Sequence, residues 1–80
     1  MHFVKSVQYI EDYKLSITFE DNKKKLVDLS NHIGNGIFKK LKDISYFKTV
    51  KFDADLDTIV WDNGADISPD FLYEIGKTLE

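Results

Sequence analysis

The sequence has no cysteine among its 80 residues, and its eleven strongly basic residues are all lysines. Without thiols the chain can form no disulfide bridge, no thiolate zinc site and no cysteine nucleophile. Without arginine it lacks the side chain that most often binds guanine or phosphate through two parallel hydrogen bonds. The two absences exclude cysteine-based redox chemistry and argue against direct binding of nucleic acid.

The sequence also has no long apolar run. No stretch approaches the roughly 18 consecutive apolar residues of a membrane span. The first seven residues include His2, Lys5 and Ser6, and they lack the apolar run of a signal peptide. We therefore expect a cytoplasmic protein that makes no contact with a membrane.

What the sequence does contain is typical of a small globular protein. Hydrophobic residues make up 42% and charged residues 31%, with a formal net charge of −3. Six Phe, four Tyr and one Trp supply much of the area that a small core can bury. A chain of this length buries roughly 60% of the surface that its unfolded form exposes. Since no repeat or linker interrupts the sequence, we predict one domain spanning residues 1–80.

The first half of the sequence predicts three strands. Residues 13–19 place Tyr, Leu, Ile and Phe at alternate positions, which is typical of a half-buried strand. A turn at Asp21 and Asn22 lets residues 25–29 return as the second arm of a hairpin. Residues 3–10 alternate only in part. We interpret them as a strand that is buried on both sides for some of its length.

The second half predicts two helices and another hairpin. Apolar residues at helical spacing predict a short helix that begins at Ile37 and ends near Asp43, and residues 44–47 predict a further helical or irregular turn. Residues 49–53 and 58–61 predict the hairpin. Ser68 and Pro69 are typical of a helix start, and an apolar stripe continues that helix to Leu79.

Together these elements predict an α+β domain. We expect a mainly antiparallel sheet of about five strands, with a short middle helix and a C-terminal helix packed on one face.

Several short motifs, in their order along the chain, resemble those of one family. They are Leu15-x-Ile17-x-Phe19, Val27-Asp28-Leu29, Phe38-x-x-Leu41-x-Asp43 with Phe47, and Ile59-x-Trp61-x-Asn63-Gly64-Ala65-Asp66-Ile67 followed by Pro69 and Leu72-Tyr73. The sequence resembles the bacterial domain of unknown function 2442 family over nearly its whole length. It differs at Asp62, where many members have Pro, and at residues 21–23, where members often have Gly.

The resemblance implies a small bacterial α+β protein with no assigned catalytic residues. Many members are similar to the partner half of two-gene modules that are suspected to be toxin–antitoxin pairs. The resemblance therefore implies an antitoxin-like role, in which a neighbouring small protein supplies the toxic activity.

The residues around the Trp motif offer an interaction surface. Trp61 is either a core residue, with its indole N–H bonded to a backbone or loop carboxylate, or part of an exposed aromatic anchor with Phe71 and Tyr73 at a protein interface. Core burial is the stronger interpretation of Trp61. The candidate interaction surface consists of Trp61, Asp62, Asn63, Gly64, Asp66 and Tyr73.

No catalytic, metal or cofactor site is predicted. Residues 53–57 have the Asp spacing of a calcium loop, but Thr58 stands where the loop needs Gly and Gly64 where it needs Glu. Asp62, Asp66 and Asp70 are close in sequence and could serve acid/base chemistry. Turn and helix-dipole roles explain them at least as well. An enzyme or metal site there is the third hypothesis.

Lysines are concentrated in two segments. The candidate basic patch consists of Lys23, Lys24, Lys25, Lys39, Lys40 and Lys42. Such runs are most often solvated or keep an edge strand from pairing. The alternative function is a nucleic-acid-associated accessory domain, which requires both segments to converge on one face.

The leading hypothesis is a non-catalytic protein–protein interaction module. Its partner would be a small toxin-like protein or a second copy of the chain. This hypothesis predicts an exposed apolar patch or a free sheet edge.

Overall fold

The computed structural model describes residues 1–79. Seven strands, a 3₁₀ helix and two α-helices follow one another along the chain. They are β1 (Val4–Glu11), β2 (Lys14–Phe19), β3 (Lys24–Asp28), the 3₁₀ helix (Gly36–Lys42), α1 (Ile44–Phe47), β4 (Lys51–Asp53), β5 (Thr58–Val60), β6 (Asp66–Ile67), α2 (Pro69–Ile75) and β7 (Lys77–Thr78). No helix among the described residues is long and apolar enough to cross a membrane.

The strands form two antiparallel sheets, which confirms the α+β class. Sheet A has the order β1-β2-β3-β7, and sheet B has the order β4-β5-β6. The prediction of one sheet with about five strands is wrong in this detail. Strands β6 and β7 have only two residues each, which is too short for side-chain alternation to reveal a strand in the sequence.

Strand β2 lies at the centre of the core. Leu15, Ile17 and Phe19 are fully buried on its inner face, as the alternation of apolar residues predicted. The hairpin to β3 closes through Asn22, whose φ of 66° lies in the left-handed region that Asn tolerates. Its N–H donates to the Phe19 carbonyl at 2.8 Å. Local turn chemistry therefore sets the register of the central hairpin.

Strand β1 differs from its prediction. Its burial is one-sided, and Ile10, expected on a second buried face, is 46% exposed. The pairing with β2 shifts register twice, between Val4 and Ser6 and between Tyr9 and Glu11. Each extra residue at such an irregularity turns the following side chains to the other face. Val4 and Tyr9 thus both reach the core although their numbers differ in parity.

The middle of the chain adds an aromatic cluster to the core. The short helix predicted from Ile37 is present as a 3₁₀ helix, and α1 follows it after Asp43. Phe47 of α1 is fully buried. The rings of Tyr9 and Tyr13 meet it edge-on, with centroids 6.1 and 5.3 Å away. Aromatic residues from three separate segments therefore meet at one point.

Helix α2 begins at Pro69, as predicted, although the Ser68 side chain makes no capping hydrogen bond. It ends earlier than predicted, at Ile75. Gly76 has an extended ψ of 149°, and the chain continues as β7 beside β3. A Cβ at Gly76 would lie 2.9 Å from Lys25 Cβ. The approach of β3 therefore fixes the place where the helix stops, and Leu79 lies outside it.

Candidate interaction surface

Trp61 lies in the core and does not contribute to a surface. It is 2% exposed, and its indole N–H donates to the Phe47 carbonyl at 2.8 Å. The ring also packs on Phe47, with centroids 5.7 Å apart. Both the apolar ring and its one polar group are therefore satisfied inside the protein.

The tryptophan turn, residues 61–65, continues from this anchor to the surface. The Asn63 side chain accepts a hydrogen bond from Ala65 N–H at 3.0 Å and donates one to the Ile37 carbonyl at 3.1 Å. Gly64 has a φ of 92°, a conformation that suits a residue without a Cβ. The amide of Asn63 thus ties the turn to the start of the 3₁₀ helix. Asn63 and Gly64 are exposed beside that helix.

The three acidic residues around this turn are not brought together. Asp62 pairs with Lys51 of β4 at 2.5 Å between Oδ1 and Nζ. This carboxylate raises the pKa of the exposed Lys51. Asp66 lies on β6, and Asp70 accepts a hydrogen bond from the backbone N–H of His2 at 2.6 Å. Asp62 and Asp70 thus have separate partners, and Asp66 lies on a different element from either. Among residues 1–79, no group of three or more His, Asp or Glu side chains could hold a metal ion.

Tyr73 lies against different elements from the tryptophan turn. Its ring stacks on the His2 imidazole, with centroids 3.5 Å apart and planes 4° apart. The Lys25 ammonium lies 3.7 Å from the centroid of the same ring. The phenol donates to Asp21 Oδ2 at 2.9 Å. The six candidate residues therefore do not form one surface.

Tyr73 belongs to a set of polar and aromatic contacts that sequence analysis missed. We name the set the N-terminal cluster; it consists of His2, Glu20, Asp21, Lys25, Asp70 and Tyr73. Glu20 Oε2 accepts a hydrogen bond from Phe3 N–H at 2.9 Å, and its Oε1 lies 3.5 Å from His2 Nδ1. The cluster fastens the start of the chain to the β2–β3 turn and to α2.

The two lysine segments lie at different places in the fold. Lys23 and Lys24 are at the β2–β3 turn, whereas Lys42 is in the 3₁₀ helix. The carbonyl of Lys42 accepts the Tyr13 hydroxyl, and Tyr13 directly precedes β2 at the other end of the hairpin. The two ends of the hairpin are four residue steps apart along β3, which is a distance of about 13 Å. Lys25 is already bonded to the Tyr73 carbonyl at 2.8 Å. Lys42 therefore lies at the opposite end of the central hairpin from Lys23.

A groove surrounds His32 in the loop before the 3₁₀ helix. His32 lines three cavities of about 520, 290 and 350 Å³. The smallest cavity, of about 290 Å³, is the most apolar. Phe38, Phe71 and Asp66 are among the residues that line it. The His32 and Phe71 rings meet edge-on at 5.2 Å. Asp66 and the loop residue His32 therefore line the same cavity, although no sequence pattern indicated that they are neighbours.

The outer side of β1 is the second feature that the sequence did not locate. Phe19 N–H donates to the Lys23 carbonyl and Leu29 N–H donates to the Tyr13 carbonyl, both at 2.9 Å. Odd-numbered residues of β2 therefore direct their backbone groups toward β3. Because these groups alternate along a strand, the even-numbered residues of β2 bond to β1.

This alternation determines which groups of β1 are free. Ser6 and Gln8 lie opposite even-numbered residues of β2 and bond to it, so the backbone groups of Val7 and Tyr9 point away from sheet A. Within residues 1–79, neither N–H donates to any element outside sheet A. We name this side of residues 5–11 the β1 edge. It is the outer edge of sheet A, and a free sheet edge is one of the two features that the leading hypothesis requires.

The outer side of β1 is contacted by sheet B, and one contact is fixed at its start. Strands β4 and β5 lie against β1, and the outward N–H of Val4 donates to the Asp57 carbonyl at 2.9 Å. Beyond it, Lys5 and Ile10 are exposed, and they coincide with the two register shifts. Charged residues and bulges at the ends of an edge strand hinder its pairing with unrelated strands of other chains. In the regular segment between them the side chain of Gln8 is exposed, whereas those of Val7 and Tyr9 are half-buried.

Comparison with known proteins identifies the family of the chain. Searches of curated proteins and of solved structures find no match. A family model described as "Protein of unknown function (DUF2442)" matches residues 4–78, which include the whole of both sheets. The chain belongs to the DUF2442 family.

Proposed function

We propose that this protein is a cytoplasmic, non-catalytic protein–protein interaction module. The β1 edge carries the proposal, because unpaired backbone N–H and C=O groups can accept an added strand from a partner. The acidic residues near the tryptophan turn and the lysine segments support the proposal less than the β1 edge does. Asp62 and Asp70 have separate partners, and Lys42 lies at the opposite end of the central hairpin from Lys23.

The antitoxin-like role is the biological setting that we propose for this module. A small toxin-like protein would add a strand along Val7–Tyr9, and the exposed side chain of Ile10 would contact it beside the pairing. Main-chain hydrogen bonds would supply much of the affinity, and the side chains of β1 would supply specificity.

A pull-down with proline variants tests the proposal. Tagged protein is recovered from the cells that normally carry it, at moderate and at high salt, after nuclease treatment. Val7→Pro removes an outward N–H, which an edge strand tolerates. Ala54→Pro is the matched control, because Ala54 occupies the first turn position after Asp53, where proline is favoured.

We expect wild type and Ala54→Pro to retain one protein under all conditions and Val7→Pro to lose it. Growth assays then ask whether the retained protein is toxic alone and harmless when co-expressed. Retention that is indifferent to Val7→Pro would overturn the proposal. Recovery of material only when nuclease and salt are omitted would instead favour the lysine segments.

A further inference from the structure

We propose that the β1 edge pairs with the β1 edge of a second copy of the chain, in an antiparallel arrangement with its two-fold axis at Gln8. This inference rests on the proposed function and names the partner of the same edge. Three properties of β1 favour a copy of itself over an unrelated strand: the pattern of free backbone groups, the distribution of charge and the apolar side chains.

The free backbone groups match under this symmetry. Antiparallel pairing about Gln8 places Val7 of one protomer opposite Tyr9 of the other, and Tyr9 opposite Val7. These are the two residues of the regular segment whose backbone groups point outward. Each such pair exchanges two N–H···O bonds, as antiparallel ladders require. A register shifted by one residue would place outward groups opposite inward ones.

The charges are complementary in the same register. Lys5 and Glu11 lie at the two register shifts that flank the regular segment, so a two-fold axis at Gln8 brings Lys5 of each protomer to the end of the paired strands where Glu11 of the other protomer lies. Lys5 Nζ now donates to Asn22 Oδ1 at 3.0 Å, and Glu11 lies 3.8 Å from Lys14. These exposed contacts are weak and compete little with new pairs. Opposite charges directly across two strands favour pairing.

The apolar side chains also fit a copy of β1. Val7 and Tyr9 are half-buried on the core side of β1. In the paired form Val7 of one protomer stands beside Tyr9 of the other protomer. Aromatic and β-branched residues are a favourable cross-strand pair. Pairing would join the two copies of sheet A into one continuous eight-stranded sheet, and each protomer would no longer expose this edge.

Disulfide trapping tests the register, since the chain has no native cysteine. Gln8 would lie opposite its own symmetry mate in a pair without mutual hydrogen bonds, where Cα atoms are about 4.5 Å apart and a disulfide can form. Ser6→Cys is the matched control. Ser6 is exposed on the same strand and face, but it would lie about 13 Å from its symmetry mate, four residue steps away.

We expect Gln8→Cys to form a covalent dimer under mild oxidation at least tenfold faster than Ser6→Cys. Equal rates for the two variants would overturn the register.

Sedimentation of charge variants tests the pairing without cysteine. We expect wild type to be dimeric, and Lys5→Glu or Glu11→Lys alone to weaken association about tenfold, because like charges then meet twice per dimer. The double exchange Lys5→Glu with Glu11→Lys should restore the dimer. Failure of the double exchange to restore it would overturn the inference.

The partner experiment separates this inference from the proposed function. A wild-type protein that stays monomeric, yet loses a retained partner on Val7→Pro, would overturn self-pairing and leave the interaction module standing. A monomeric protein whose retained material ignores Val7→Pro would overturn both. Circular dichroism confirms that each variant is folded before it is compared.

Discussion

The tryptophan turn and the N-terminal cluster are fastened to the fold in different ways. The turn is anchored by one buried ring, and its surface residues bond to neighbours within the turn and to one carbonyl at Ile37. The cluster joins residues as far apart as His2 and Asp70 through exposed or half-buried groups. Burial stabilises the first region, whereas many weak surface contacts hold the second.

The stability of the fold and the proposed interaction edge therefore depend on different parts of the molecule. Burying a Trp ring yields several kcal/mol, whereas an exposed ion pair or hydrogen bond contributes little. Substitutions in the turn should therefore alter the stability of the whole fold. Substitutions in the cluster should mainly loosen the first residues, directly before the strand that we propose as the interaction edge.

The largest effect is expected at the base of the turn. Trp61→Ala removes a fully packed ring and the donor that satisfies the Phe47 carbonyl. Such substitutions cost about 3–5 kcal/mol, a large share of the stability of a small domain. Urea unfolding followed by far-UV circular dichroism measures the loss. A change below about 1 kcal/mol would contradict the central place of Trp61 in the core.

The junction between α2 and β7 should show the next largest effect. Gly76→Ala places a Cβ 2.9 Å from Lys25 Cβ and 3.0 Å from the Leu72 carbonyl oxygen. Neither neighbour is the free end of a flexible chain, so backbone must shift. We expect a loss of about 1–3 kcal/mol, as for other overpacked sites. Gly34→Ala is the control, because the nearest atom, Lys42 Cε, is 3.9 Å away; the same unfolding assay compares them.

The fold was predictable where local chemistry decides it. Alternation located β2, Asn22 located its turn, and Pro69 located the start of α2. Prediction failed where tertiary contacts decide. The close approach of β3 to Gly76 ends α2, and two bulges in β1 alter which side chains are buried. Neither event leaves a pattern in the sequence, because the same residues would suit a longer helix or a regular strand.

The candidate site was less predictable than the fold. The Trp motif correctly indicated a tight turn, but not which of its residues reach the surface. Tyr73 was grouped with Trp61 because both are aromatic and near in sequence, yet its neighbours are His2 and Lys25. The free edge of β1 depends on strand order, which a single sequence does not contain. The sequence thus suggested the type of surface, an apolar patch or a free sheet edge, but not its position in the fold.

The third prediction tests the polar part of the turn. Asn63→Ala removes the bonds to Ala65 N–H and to the Ile37 carbonyl. Two neutral hydrogen bonds contribute about 1–2 kcal/mol together. Asp62→Ala is the neighbouring control, since Asp62 is exposed and pairs only with exposed Lys51. Thermal unfolding should show a clear fall in Tm for Asn63→Ala and a smaller one for Asp62→Ala; the reverse order would contradict the tie to the 3₁₀ helix.

The smallest effect is expected in the N-terminal cluster. The pKa of Asp21 lies below its ordinary value of 3.8, chiefly because Lys23 N–H donates to its carboxylate, and the Tyr73 hydroxyl lowers it further. The pKa of Tyr73 is raised above 10.0 because its phenol donates to Asp21. The Asp21 contribution to stability is thus present above pH 3.8 and lost as pH falls through the folded pKa. The Tyr73 contribution is present below pH 10.0 and lost as pH rises.

Tyr73→Phe separates the two donors to Asp21. The ring is kept, so the stack on His2 is preserved and the fold at neutral pH should change little. Because the Lys23 N–H remains, we expect the pKa of Asp21 to rise only part of the way to its ordinary value. An NMR titration of the Asp21 carboxyl carbon in wild type and in Tyr73→Phe measures this shift. An unchanged pKa would mean that the phenol contributes nothing in solution. The His2 stack, the Glu20 contacts and the bond from His2 N–H to Asp70 would then hold the start of the chain beside the β1 edge.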